Sequence, residues 1–238
     1  MGAKKDRGLG CKTQPSIDKE MFMSFSFYTV DTSYCNFLRQ KDSRVPYTMD
    51  KKAIRPFLGI VFTVNGFNYY APLTSPKPKH IHMKNQIDFL KINNGEWGAI
   101  NFNNMIPVLP SSLNKVEIRI YDSDSKADKD YKNLLANQLS WCNSNKDTII
   151  RQAVKLYNTI VQGRAWGNLS ARCCNFTLDE KLCLEYAELL HIDNAVKSNE
   201  NELDQKASVR DKLNELKSNK NSDTDRTADP QRKGIIKS

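Results

Sequence analysis

Short apolar runs separated by turn residues dominate the first half of the chain and predict β-strands. The strongest run covers residues 57–64, and Asn65 and Gly66 directly after it form the preferred two-residue turn of a β-hairpin. Residues 68–73 then predict the antiparallel partner strand. Similar runs predict further strands at 25–30, 89–92, 97–101 and 116–120, with a short apolar segment at 105–108.

The second half of the chain carries apolar residues at helical spacing instead. Residues 130–143, 148–162 and 178–190 each predict a helix. A shorter helix is predicted over 33–40, with Thr32 as its N-cap. Strands followed by helices that lie mainly in the C-terminal half predict an α+β fold. Short strands joined by hairpins favour a compact, strongly bent antiparallel sheet or small barrel over a doubly wound sheet.

Composition divides the chain into three parts. Residues 1–20 are polar and charged, which predicts a disordered or extra N-terminal leader. Residues 193–238 are rich in Asn, Asp, Lys, Ser and Glu and predict a hydrophilic, disordered tail. The folded domain is therefore predicted at 21–192.

The sequence predicts a cytoplasmic protein with reduced thiols. Residues 21–28 are apolar, but the run is short and lacks the small-residue cleavage site of a signal peptide. No apolar run is long enough to span a membrane. The six cysteines are irregularly spaced, without any CxxC pair, which argues against a disulfide framework and against a zinc site.

A formal net charge of +9 points to a polyanionic partner. Residues 21–190 carry 21 Lys and Arg against 15 Asp and Glu, so most of the excess lies on the predicted domain. A basic globular body is typical of proteins that bind nucleic acid.

The candidate chemistry lies just after the predicted hairpin, at Thr74, Ser75 and Lys77. Hydroxyl groups and loop N–H groups can hold phosphate oxygens, and a Lys ammonium offsets the negative charge that develops on a phosphorane. Arg55 precedes the first strand of the hairpin. If positions equally far from the turn pair with each other, residues 55–57 lie beside 74–76.

Structural interpretations compete with this one. A Thr-Ser-Pro sequence is common in plain surface turns, and Lys77, Lys79 and Lys84 also fit a solvated cationic face. His80 and His82 on a strand would project to one side, as metal ligands do. No third ligand is evident, so the sequence predicts no metal and no cofactor.

Four blocks of the sequence follow one another in a familiar order. They are "FYTVDTSYCNFLRQKDSRVP" (27–46), "RPFLGIVFTVNGFNYYAPLTSPK" (55–77), "GAINFNNMIPV" (98–108) and "DYKNLLANQLSWC" (130–142). Together they resemble the ToxN/AbiQ family of type III toxin–antitoxin endoribonucleases, which includes CptN-type toxins. The resemblance spans roughly residues 25–190, and its most specific feature is "Y-x-APLTSPK" within the second block.

The resemblance implies a fold and an activity. The fold is expected to be similar to that of the MazF/Kid ribonucleases. Such toxins cut single-stranded RNA without a metal and leave 2′,3′-cyclic phosphate and 5′-hydroxyl ends. The expected partners are cellular or phage mRNA substrates and a repeat-derived pseudoknot RNA. That RNA is processed by the toxin and inhibits it, within a closed protein–RNA ring (a heterohexamer). Abortive infection of phage is the expected biological role.

The resemblance also implies site residues. Thr74, Ser75 and Lys77 fall on the "TSPK" positions of the family's active site. Arg55 stands where the family usually has Lys; it keeps the charge but is a poor proton donor or acceptor. The predicted RNA contacts are Tyr47, Lys79, His80, Lys84, Gln162 and Arg164.

The expected mechanism is in-line attack by the substrate's own 2′-hydroxyl on the adjacent phosphorus. Two alternatives remain at this point. One is a non-catalytic RNA-binding module in which Arg55 has removed the chemistry. The other is an SH3-like protein-interaction domain with a peptide groove formed by Tyr69, Tyr70 and Trp97.

Overall fold

A computed structural model describes residues 24–47 and 56–192 of the chain. Contacts divide the chain into two compact units, 1–187 and 188–238, and the sheet belongs to the first. The predicted leader and tail lie outside the described residues, so the domain limits at 21 and 192 stay predictions.

Seven strands form one antiparallel sheet in the described ranges, as predicted. The strand order is β4-β5-β3-β2-β1-β7, and β6 pairs with β3. The third strand therefore contacts three neighbours and is the centre of the sheet. The strands are β1 (Ser26–Val30), β2 (Phe57–Val64), β3 (Phe67–Thr74), β4 (Phe89–Lys91), β5 (Ala99–Asn101), β6 (Ile106–Pro107) and β7 (Leu113–Lys115).

The β2–β3 hairpin confirms the prediction made from its turn. Asn65 and Gly66 have φ values of 49° and 81°. Two successive positive φ angles are the signature of a type I′ turn, which matches the twist of the flanking strands. Val64 accordingly lies opposite Phe67.

A β-bulge between Leu58 and Phe62 shifts the register of this hairpin. Beyond it, Phe57 lies opposite Pro72, two residues short of the partner that equal distances from the turn require. The predicted pairing of 55–57 with 74–76 is therefore wrong by two residues.

Gly59 lies within the bulge and accounts for its local geometry. A Cβ atom at this position would lie 2.0 Å from the ring of Tyr70. Only glycine lets the β2 backbone pass this close to the ring. The same ring packs edge-on against Tyr28, with centroids 5.5 Å apart.

The helices lie mainly in the C-terminal half, which confirms the α+β class. Asp31, and not Thr32, occupies the N-cap position of the first helix. The third helix begins before the predicted start at 130, because the Ser125 hydroxyl caps it by accepting from the Asp128 N–H at 3.2 Å. None of the described helices is both long and apolar enough to cross a membrane. They are α1 (Thr32–Arg39), α2 (Pro78–His82), α3 (Lys126–Ser144), α4 (Lys146–Val161), α5 (Leu169–Arg172) and α6 (176–192).

The strand predicted at 116–120 is wrong, because that segment is irregular. The Val116 N–H still donates to the Phe27 carbonyl at 2.8 Å. Just before β1, the backbone N–H of Phe25 donates to Asn143 Oδ1 at 2.7 Å and not to this segment. The alternating pattern there continues without a strand to pair with.

Aromatic rings fill the core between β2, β3 and the helices. Phe62 and Tyr69 stack with centroids 4.7 Å apart, and Tyr157 and Phe176 stack at 5.7 Å. The hydroxyls of Tyr69 and Tyr157 both donate to Glu180 Oε1, at 2.8 and 2.7 Å. One carboxylate therefore ties β3, α4 and α6 together.

The same packing overturns the predicted peptide groove. Tyr69 and Tyr70 are only 0% and 3% exposed, and Trp97 is half-buried against the core. Aromatic rings that face the core cannot form an SH3-like binding surface.

The end of β3 is pressed against the residue that precedes β5. Gly98 has a φ of 94°, and a Cβ atom there would lie 2.1 Å from the Thr74 carbonyl oxygen. Ala99, next in the chain, lies opposite Thr74 in the sheet. Glycine is therefore required at this contact.

A pair of buried carboxyl groups joins the loop after α1 to the start of α6. Asp42 accepts hydrogen bonds from Arg44 Nε at 2.7 Å and from the Asn175 N–H at 2.6 Å. Asp179 is fully buried, and neither of its oxygens accepts a hydrogen bond from another described residue. Burial first, and then the charge of Asp42, raise the pKa of Asp179 to about 8. Asp179 therefore carries its proton at neutral pH.

We expect Gly98→Ala to destabilise the protein by about 2–4 kcal/mol, because overpacking against the Thr74 carbonyl adds to the strain of a positive φ. Gly66→Ala is the matched control: its φ is 81°, but nothing lies within 4 Å of the added Cβ. Urea unfolding measures both. Equal losses in the two variants would show that the contact at Gly98 is unimportant.

We expect Asp179→Asn to flatten the pH dependence of stability. An unfolded Asp loses its proton near pH 4, whereas the folded pKa is about 8. Between these values only the folded state holds the proton, so stability falls as pH rises, by up to about 1.4 kcal/mol per pH unit. Urea unfolding between pH 5 and 8 measures the slope.

The control for this experiment is Asp130→Asn, which changes an exposed carboxylate on α3. That variant should keep the wild-type slope. An unchanged slope in Asp179→Asn would contradict the assignment of a protonated Asp179.

Candidate active site

The 74–77 turn follows directly from the end of β3. Thr74 is half-buried, whereas Ser75 and Lys77 are exposed. The side chains of Ser75 and Lys77 make no hydrogen bond or ion pair with any other described residue. The predicted hydroxyls and ammonium are therefore together on one turn and accessible to a ligand.

The segment after this turn is the short helix α2, and not the strand on which the His80–His82 pair was predicted. Pro78 occupies its first position, where proline's fixed φ favours a helix start. His80 is 2% exposed and His82 is exposed, so the rings face different ways. A helix places residues i and i+2 on different faces, which overturns the idea of a two-histidine metal pair.

His80 faces Thr74 and not the solvent. Its Nε2 lies 3.5 Å from Thr74 Oγ1, and its ring packs against Phe89 with centroids 5.7 Å apart. Burial lowers the pKa of His80, and the charges of Lys77 and Lys79 lower it further, so the ring is neutral at pH 7. The prediction of His80 as a direct RNA contact is corrected, since RNA cannot reach a ring buried to this extent.

A tight turn at 93–98 packs against the backbone of α2. Gly95 has a φ of 100°, and a Cβ there would lie 2.6 Å from the His80 carbonyl oxygen. Gln138 of α3, 3% exposed, donates through Nε2 to the Trp97 carbonyl at 2.5 Å. The helical half of the domain thus fixes the turn against which α2 and the 74–77 turn pack.

Two residues predicted to belong to the site, Arg55 and Tyr47, make no described contact with the 74–77 turn. Arg55 lies outside the described residues; its neighbour Pro56 accepts a hydrogen bond from the Leu73 N–H at 2.9 Å. Tyr47 is 56% exposed, and the Arg39 guanidinium lies 5.2 Å from its ring centroid. The assignments of Arg55 and Tyr47 remain predictions.

The predicted contacts at 162–164 lie at the end of α4. The Gly163 N–H donates to the Ile160 carbonyl at 3.0 Å, and the Arg164 N–H donates to the Thr159 carbonyl at 2.9 Å. These two bonds form a Schellman cap, which explains the glycine, whose φ is 67°. Arg164 and its neighbour Gln162 are both exposed, so they are available for a ligand.

A groove beside α4, here called the side groove, was not predicted from the sequence. It consists of two cavities of about 410 and 360 Å³ that share Gln86 and Ile87. Their other lining residues come mainly from α4, α5 and the loop before α5, which are far from Gln86 in sequence. These residues are Trp166, Gly167, Asn168, Leu169 and Arg172 in the first cavity, and Asn85, Thr148, Arg151, Gln152 and Lys155 in the second.

Polar bonds hold the floor of the side groove in place. Arg172 donates to both oxygens of Asp88, at 2.5 and 3.0 Å, and to Gln86 Oε1 at 3.1 Å. Gln152 Nε2 donates to the Gln86 carbonyl at 2.6 Å. Trp166 is 61% exposed at the rim. A fixed guanidinium and an exposed indole therefore line the same cavity.

One group of potential metal ligands occurs among the described residues. Its atoms, from Asp42, Cys174 and Asp179, lie within 4.8 Å of one another and are buried. Protein donors already occupy the oxygens of Asp42, and the group includes no residue of the 74–77 turn. The five described cysteines are all buried.

Comparison with known proteins gives a consistent answer. The family described as "Toxin ToxN, type III toxin-antitoxin system" matches residues 26–184. The chain is 31% identical over 166 residues to the endoribonuclease ToxN of Bacillus thuringiensis subsp. kurstaki, covering 68% of this chain and 84% of that protein. It is 33% identical over 163 residues to the endoribonuclease ToxN of Pectobacterium atrosepticum, covering 65% and 90%.

Solved structures agree. One belongs to a study of selective toxin inhibition by a non-coding RNA pseudoknot; it has 30% identity and a TM-score of 0.59, covering 70% of this chain and 99% of that one. AbiQ, a lactococcal anti-phage endoribonuclease, has 25% identity and a TM-score of 0.60 with the same coverages.

The family match covers more than half of the chain and includes the hairpin, the 74–77 turn and the helices α1 to α5. The predicted similarity of the fold to that of the MazF/Kid ribonucleases stays a prediction. The chain is a member of the ToxN family of type III toxin–antitoxin toxins, whose relatives named above are endoribonucleases.

Proposed function

We propose that the protein is a cytoplasmic endoribonuclease that cleaves single-stranded RNA without a metal ion. The products carry 2′,3′-cyclic phosphate and 5′-hydroxyl ends. One observation carries this proposal: two hydroxyls and an ammonium that pairs with no described carboxylate share one accessible turn, at the "TSPK" positions of a ToxN-family chain.

The reaction is an in-line displacement at phosphorus. The 2′-oxygen of the substrate forms a bond to the adjacent phosphorus while the bond to the 5′-oxygen breaks. The 2′-hydroxyl loses its proton to solvent, and the leaving 5′-oxygen gains one from solvent, so no net proton is taken up or released. Lys77 faces the phosphate oxygens and stabilises the charge that builds up on them. The rest of the acceleration comes from holding a splayed single strand in line.

The hydroxyls position the scissile phosphate. Ser75 is exposed and Thr74 is half-buried at the foot of the turn, so the two can donate to different phosphate oxygens. Arg55 is proposed as a second cation that grips the phosphate. A guanidinium keeps its proton throughout, so Arg55 contributes charge and not proton transfer.

The proposed inhibitor is a repeat-derived pseudoknot RNA, which the enzyme cuts from its precursor and with which it forms a closed heterohexameric ring. Cellular or phage mRNA would be the substrates attacked when this RNA is lost. Support comes from the relative whose study concerns inhibition by an RNA pseudoknot, and from a net charge of +9. Binding should weaken steeply with salt, as counterion release requires.

The side groove is proposed to hold a part of a long RNA that lies beyond the nucleotides at the scissile bond. Its lining includes Arg151 and Lys155, which supply positive charge, and Trp166, which offers a face for base stacking. The charge of Arg172, in the same lining, is paired with Asp88. Lys77 and Asn85 of the groove are close in sequence, so the distance between their Cα atoms cannot exceed about 29 Å. The exposed Lys79 and Lys84 lie along this connection, and Gln162 and Arg164 precede the Trp166 rim.

We expect Lys77→Ala to lower kcat/KM by about 10²–10³-fold, the loss typical of a single donor to a developing oxyanion. Purified full-length protein is incubated with mixed-sequence single-stranded RNA and EDTA, and the fragment ends are analysed for cyclic phosphate. Lys126→Ala, which changes an exposed lysine on α3, should cleave like wild type.

Cleavage by Lys77→Ala at the wild-type rate would refute its role. Wild-type protein that binds RNA without shortening it would favour the non-catalytic module, and Arg55→Lys would then be the first variant to make.

We expect Trp166→Ala to weaken binding of long RNA by about 10-fold or more, because a stacked base contributes about 1–3 kcal/mol. The shortest oligonucleotide that wild type cleaves should be processed with unchanged kcat/KM, since it does not reach the groove. Tyr131→Ala removes an exposed aromatic ring on α3 and serves as the control. Equal effects of Trp166→Ala on both substrates would contradict the proposed path.

A further inference from the structure

The buried imidazole of His80 has one polar neighbour, and one of its nitrogens has none among the described residues. Its Nε2 lies 3.5 Å from Thr74 Oγ1, whereas Nδ1 has no hydrogen-bond partner in the described part of the chain. Phe89 packs on the ring, and the turn at Gly95 closes against the His80 backbone. The ring is therefore held in one place, with a single polar contact.

This arrangement decides which nitrogen carries the proton. A neutral imidazole has one N–H donor and one acceptor nitrogen. If the proton were on Nδ1, a buried N–H would have no acceptor, which is rare and costly. With the proton on Nε2, the ring donates to Thr74 Oγ1 and only an acceptor is left unsatisfied.

The proton position in turn fixes the role of the Thr74 hydroxyl. An oxygen that accepts from His80 must direct its own hydrogen elsewhere. No other described residue accepts from Thr74 Oγ1, so that hydrogen is available to a ligand on the open side of the 74–77 turn.

We propose that His80 is a positioning residue, which holds the Thr74 hydroxyl as a hydrogen-bond donor aimed at the scissile phosphate. The inference rests on the proposed ribonuclease function. The 3.5 Å distance fits a ligand-free site, where catalytic hydrogen bonds are often long and tighten when the substrate binds. His80 does not act as the base for the 2′-hydroxyl, because a ring that is 2% exposed cannot contact the substrate.

The test is a double-mutant cycle with His80→Phe and Thr74→Val. Phenylalanine keeps the ring that packs on Phe89 but removes the donor. We expect kcat to fall about 3–10-fold in His80→Phe with KM nearly unchanged, since the oriented bond strengthens in the transition state. In the Thr74→Val background the same change at His80 should have no further effect.

Two measurements separate positioning from a merely structural role. Stability in urea should not fall in His80→Phe, because the substitution also removes the unpartnered Nδ1. His80→Gln should recover most of kcat, since its amide N–H reaches close to the place of Nε2. Thr74→Ser, which keeps the hydroxyl, should restore the sensitivity of kcat to His80→Phe.

The outcomes distinguish two kinds of failure. If His80→Phe lowers kcat equally in the wild-type and Thr74→Val backgrounds, the positioning role alone is overturned. A Thr74→Val enzyme that cleaves at the wild-type rate would instead remove Thr74 from the site, and the inference with it. Wild-type protein that cleaves no RNA would refute the proposed function first.

Discussion

The close approach of the 93–98 turn to β3 and α2 is the constraint on which the rest of the site depends. Gly98 faces the Thr74 carbonyl and Gly95 faces the His80 carbonyl, each nearer than a Cβ atom allows. Both glycines have positive φ angles, so the backbone itself, and not side chains, forms the wall behind the site. Gln138 connects that wall to α3. Through the 93–98 turn, the helical half of the domain therefore fixes the position of the 74–77 turn, where the proposed chemistry takes place. The helices themselves contribute neither of the two hydroxyls proposed to bind the phosphate.

Local patterns predicted those elements whose determinants are local. The Asn65–Gly66 pair fixes its own turn, and the apolar stripes of α3 and α4 identify helices regardless of their surroundings. Tertiary contacts decided the rest. The bulge at Gly59 depends on the ring of Tyr70, which approaches from the neighbouring strand. The 116–120 segment alternates like a strand but lacks a described partner beyond β1.

In the candidate site, too, some features follow from local sequence and others depend on tertiary contacts. Thr74, Ser75 and Lys77 are adjacent in sequence, so one motif places all three. The "HIH" sequence resembles a strand because its alternation hides the helix that Pro78 starts. The side groove joins residues far apart in the chain, such as Gln86 and Gln152, and no local pattern indicates it. The positive charge of the groove has the same origin: Arg151 and Lys155 are brought there by α4, whereas Arg172 of α5 is paired with Asp88.

The exposure of Trp166 has a spectroscopic consequence. The chain has three tryptophans, and Trp97 and Trp141 are both half-buried against the core, whereas Trp166 is 61% exposed. An indole in water emits at longer wavelength than one in an apolar environment, and a base stacked on it quenches its emission. The red edge of the intrinsic fluorescence therefore reports on the groove, while the blue edge reports on the core. Occupation of the groove and loss of the fold can be followed separately in one unlabelled sample.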